Sequence, residues 1–170
     1  MTDALTIDRI VARTPEADGV TARVERIIRR VAEDRLDQLL GGSAIAGQGE
    51  WCLPSVSVAA VLDLERPDSA LEESVARAVL DAIVDALHGS AVVHYPGAVD
   101  ALAGLVVAAA ARRCADAWMW ARIGLIDDAD ELSREPTACV LRALERRPEC
   151  VVAALVRAVR AAGFAAVHRL

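Results

Sequence analysis

The chain has 170 residues, of which 55% are hydrophobic and 26% charged, with a formal net charge of −6. That mixture excludes a disordered chain, and the length supports one ordinary domain that needs no disulfide or metal staple. The acidic total argues against a dedicated nucleic-acid binder, whose phosphate contacts need a positive face.

Only five residues are aromatic, so Ala, Val and Leu must supply most of the core. All 19 basic residues are Arg, which favours fixed, bidentate ion pairs. The N-terminus Met1-Thr2-Asp3-Ala4 lacks the basic and apolar regions of a signal peptide, and the four cysteines Cys52, Cys114, Cys139 and Cys150 form no C-x-x-C pair. Reduced, mostly buried thiols in a cytoplasmic protein are the expectation. The most apolar run, Ala101 to Ala111, is about half of the ~20 residues that a bilayer requires, so no membrane insertion is expected.

Leu5, Ile7 and Val11 alternate with polar residues over 4–13, which predicts a first strand. Beyond Pro15 to Gly19 the apolar residues Val20, Val24, Ile27, Ile28, Val31, Leu36, Leu39 and Leu40 recur at helical spacing until Gly41-Gly42. Ser43 to Gly49 reads as a loop. Val56, Val58, Leu62 and Leu64 alternate with Ser55, Ser57 and Asp63, predicting a long second strand over 53–65. A helix then starts at Pro67-Asp68-Ser69, with Ser69 and Glu72 spaced as a capping box, carries Leu71, Val75, Val79, Ile83 and Leu87 on one stripe, and stops at Gly89. Val92-Val93-His94-Tyr95 is a candidate short strand. Helices are predicted over 98–112, 114–125, 136–146 and 148–162, the last two opened by Pro, with a solvated acidic loop over 127–135. The expected fold is α+β and mainly helical: a strand-helix-strand-helix unit over 1–90, then a helical unit over 91–170, the two sharing one core.

No catalytic, cofactor or metal set emerges. Cys52 beside Trp51 could be paired in space with His94, but a buried structural thiol is the better reading. Cys114, Cys139, Cys150 and His168 lack the short spacings of structural zinc, and Asp127 to Glu131 lacks the Gly of a calcium loop. Gly41-Gly42-Ser43 and Gly47-Gln48-Gly49 follow a helix rather than a strand, the reverse of a phosphate-binding turn. Arg26, Arg29, Arg30 and Arg35 are interleaved with acids, as on an ion-paired helix face. The group that stands out is Trp118, Met119 and Trp120, the candidate partner interface. Residues two apart on a helix point about 200° from one another, so one indole should enter the core and the other a second surface.

The order of Leu5 to Val11, a helix, the run Leu53 to Leu64 and a second helix resembles the opening of tape-measure-type proteins of bacterial contractile injection systems. Val92 to Pro96 and Ala117 to Trp120 are similar to downstream segments of these phage-tail-like machines. The resemblance implies a non-enzymatic structural, adaptor or assembly component whose partners are tube, sheath or baseplate proteins. An unrelated helical interaction or regulatory domain, one that could form a dimer or other homo-oligomer, is the alternative, and neither reading involves a cofactor.

Overall fold

A computed structural model describes residues 10–11, 20–41, 49–89 and 92–170. The fold is α+β and mainly helical, as expected. The chain divides into two compact units, Met1–Gln48 with Leu53–Val92, and Gly49–Cys52 with Val93–Leu170. The division falls near residue 90, except that a short strand from the first half belongs to the second unit. Each unit has its own cluster of buried residues.

In the first unit, α1 (Val20–Arg30) buries Val24 and Ile27 and continues through a π-helical stretch, Val31–Arg35, into α2 (Leu36–Gly41). The sequence explains the π turn. The inward residues run 24, 27, 31 and then 36, and a regular helix would bring Asp34 or Arg35 inward after Val31. The wider turn, closed by the Leu36 N–H donating to the Val31 carbonyl, turns Leu36 inward instead. Helix α3 (Asp68–Leu87) lays Leu71, Val75 and Ala76 against Ile27, Val31 and Leu36. The expected capping box does not form. Pro67 is the N-cap, and its carbonyl accepts from Ala70 and Leu71.

The predicted strand over 53–65 is absent, since those residues are neither strand nor helix. Its alternation serves another purpose: Leu62 and Leu64 lean onto the core, whereas Val61 is fully exposed at 103% and Val58 is exposed too. At Asp63 the chain turns, its carbonyl accepting from Arg66 N–H at 3.1 Å. Arg23 ties the turn down, donating to the Leu64 carbonyl (2.7 Å), the Arg66 carbonyl (2.8 Å) and Asp68 Oδ1 (2.8 Å). The run Leu53 to Leu64 that carries the resemblance to tape-measure-type proteins is therefore not a strand. Most of the predicted first strand, 4–13, lies outside the described residues, and Ile10 and Val11 are exposed without regular structure.

The second unit holds the two strands found among the described residues, β1 (Glu50–Cys52) and β2 (Val93–Tyr95). They pair antiparallel with Trp51 opposite His94 and Cys52 opposite Val93. Gly49, at φ +97°, precedes β1 and lies against the Tyr95 and Pro96 backbone, where a side chain has no room.

Helix α4 (Ala98–Ala110) is the axis of this unit and is buried on most sides, which accounts for the long apolar run. Around it lie α5 (Ala117–Arg122), α6 (Ala129–Arg134), α7 (Pro136–Arg146), a 3-10 turn (Pro148–Cys150), α8 (Val151–Ala162) and α9 (Phe164–Val167). The expected acidic loop contains α6. Asp128 caps it by accepting from Asp130 N–H at 3.0 Å, and Leu132 is buried. Its acids are ion-paired rather than simply solvated: Asp127 with Arg146 (2.6 Å), Asp128 with Arg134 (3.0 Å) and Glu131 with Arg142. No helix among the described residues is long and apolar enough to cross a membrane.

Candidate partner-binding face

The thiols are placed for packing. Cys52, Cys139 and Cys150 are buried, Cys114 is half-buried, and all four are free. Burial is the main cause that raises the Cys52 and Cys139 thiols above their ordinary value, with Glu50 and Glu131 adding in the same direction. Raised thiols are poor nucleophiles. The register also separates the one Cys–His pair that the sequence suggested: His94 sits across from Trp51, with the two rings stacked 3.8 Å apart, while Cys52 faces Val93. Neighbouring residues of a strand project to opposite faces, so Cys52 and His94 do not meet. No group of three or more His, Cys, Asp or Glu among the described residues is placed to hold a metal.

A concavity of the second unit, about 390 Å³, is lined by Ala103, Gly104, Val107 and Ala108 from α4. Gly104 lets the Tyr95 ring lie on the helix, because a Cβ there would come within 3.1 Å of it. The Asp100–Arg157 ion pair, Arg113 and Asp116 line the mouth. Burial raises the Tyr95 phenol, the neighbouring Trp120 indole pulling the other way, and no acceptor meets Trp120 Nε1 with hydrogen-bond geometry. Two arginines against two aspartates give this hollow no net charge, and its one buried donor is shut off from solvent.

Of the three residues singled out for a partner, two are inside. Met119 is 1% and Trp120 3% exposed, and Trp120 belongs to the core cluster of the second unit. The helix turns Trp118 away to a half-buried position. Met119 and Trp120 therefore have no surface to offer, and Trp118 alone could touch a partner.

A surface that the sequence reading missed lies on α8. Its inward residues are the small ones: Ala154 and Ala158 are fully buried and let α8 lie close along α4. The larger ones point out, Val152 at 76% and Val156 at 46% exposure, with Leu155 and Val159 half-covered beside them. At about 100° per residue, the apolar residues of α8 occupy an arc of roughly 220°, and the chain covers about half of it. The signal was present in the sequence: apolar residues at 151, 152, 155, 156 and 159 form a broader stripe than one packing face needs.

No family model, curated protein or solved structure matches this chain.

Proposed function

We propose that this chain is a non-enzymatic, helical interaction protein that works by protein–protein contact through the outer flank of α8. The observation that carries this reading is the packing of α8, with Ala154 and Ala158 inward and Val152 and Val156 outward, since a helix serving only its own core buries its larger side chains. The buried, raised thiols and the separation of Cys52 from His94 support a role without nucleophilic catalysis. The run Leu53 to Leu64 no longer supports a tape-measure-like strand, so the reading is the plainer one of an interaction domain rather than a part of a contractile particle.

The test compares wild type with the Val152→Asp/Val156→Asp double variant, each recovered from the native host under gentle conditions. Both should unfold at the same temperature within a few degrees, because the substituted positions are exposed. Associated protein should be retained by wild type and lost from the variant. An identical set of associated proteins on both, or a turnover activity abolished by Cys52→Ala or His94→Ala, would contradict the reading.

A further inference from the structure

We infer that the occupant of the outer flank of α8 is a second copy of this chain, packed antiparallel about a two-fold axis close to Ala154. The inference rests on the α8 reading above and names its partner. Two exposed charges border the stripe. Glu149 lies just before α8, Arg160 near its end, and neither has an ion-pair partner among the described residues. Stepping about 120° per residue back through the 3-10 turn and about 100° along α8, Glu149 falls beside Val152 and Val156 and Arg160 next to Val156, on the same side of the stripe.

When two identical helices pack antiparallel, the same edge of each meets across the contact. Placing Glu149 opposite the partner's Arg160 puts the axis midway between them, between Ala154 and Leu155. Placing Val152 opposite the partner's Val156 puts the axis at Ala154. The charges and the large apolar residues thus select nearly the same register independently. Symmetry makes each contact twice, giving two Glu–Arg pairs around a Val, Leu core. A parallel pairing about a two-fold would put the two copies of this edge on opposite sides of the contact, so Glu149 and Arg160 would find no partner across it. The antiparallel arrangement also sets the two helix dipoles head to tail.

A helix of 12 residues is roughly 18 Å long and cannot by itself supply the ~800 Å² per partner of a standard interface. The dimer is therefore of modest affinity and depends on concentration.

Sedimentation velocity on the full chain, across a range of about 5 to 500 µM, tests this. Wild type should pass from monomer to dimer, and Val156→Asp should remain monomeric at every concentration. Glu149→Arg and Arg160→Glu alone should each weaken dimerisation roughly three- to thirtyfold, because each breaks two symmetric pairs, and the two together should restore it to within a few-fold of wild type. Circular dichroism confirms that each variant is folded, and the charge variants keep the test open if Val156→Asp is not. A wild type that stays monomeric throughout, or a dimer indifferent to all four variants, overturns the inference, and a charge-swapped chain no better than its single variants overturns the antiparallel register. If wild type is monomeric yet a different protein is lost on Val152→Asp/Val156→Asp, self-pairing falls and the interaction reading stands.

Discussion

Arg23 ties together three pieces of the first unit with one planar group. Its Nε reaches Asp68 and its two terminal nitrogens reach the carbonyls of Leu64 and Arg66, a fan that a lysine ammonium cannot span. Arg23→Ala should destabilise the chain by about 1–3 kcal/mol, and Arg23→Lys should recover less than half of that loss, as read from urea unfolding. Full recovery by Lys would show that charge alone is at work. The two tryptophans of α5 separate by the same kind of reasoning. Trp120→Ala removes a core ring and should cost ~3–5 kcal/mol, whereas Trp118→Ala, at a half-buried site, should cost about 1–2 kcal/mol. Similar losses from both would place Trp118 in the core as well.

Among the elements, the first helical stretch shows how an irregularity follows from a sequence out of phase. Deleting Glu33 removes the extra residue of the π turn and lets Leu36 follow Val31 at ordinary helical spacing, so stability should change by no more than about 1 kcal/mol. Inserting an alanine after Glu33 rotates Leu36 off the core by a further ~100° and should cost several kcal/mol. Guanidinium unfolding of both variants decides it, and a deletion as harmful as the insertion contradicts the phase argument. The same attention to phase explains what the sequence could and could not tell. Helix 136–146 was readable to the residue because Pro136 starts it and Cys139, Val140 and Ala143 repeat at helical spacing. The supposed strand over 53–65 misled because two leucines, Leu62 and Leu64, reach the core from an irregular segment that mimics period two. Helix α6 was hidden in its acids, although Asp128 with Asp130 and Glu131 behind it is a helix-start pattern.

At the scale of the whole molecule, the general class was legible because composition and long helical periodicities determine it. The assignment of β1 to the second unit was not, since a strand of three residues gains its place from a partner more than forty residues away. The candidate face was only half legible, because α8's stripe is visible in sequence but which side of it packs on α4 is decided by tertiary contacts. The second unit also sets a pH limit. Its Cys52 and Cys139 thiols are held protonated above their ordinary 9.0, and Tyr95 above its ordinary 10.0. Above pH 9 the unfolded chain gives up these protons before the folded one does, so the folded state binds more protons and stability falls with rising pH. The urea midpoint should therefore be level from about pH 7 to 8 and decline above about 9, and Cys139→Ala should decline less steeply. A midpoint that rises over that range would contradict the burial of these groups.

The central claim is that α8 has one face for the fold and another for association, and methyl-resolved NMR over a concentration series observes both at once. The methyls of Val152, Leu155, Val156 and Val159 should shift together as concentration rises, while those of Ala154 and Ala158 hold nearly still. Shifts centred on another surface, such as the neighbourhood of Trp118, or no shift of the α8 valines while the chain associates, would contradict the account.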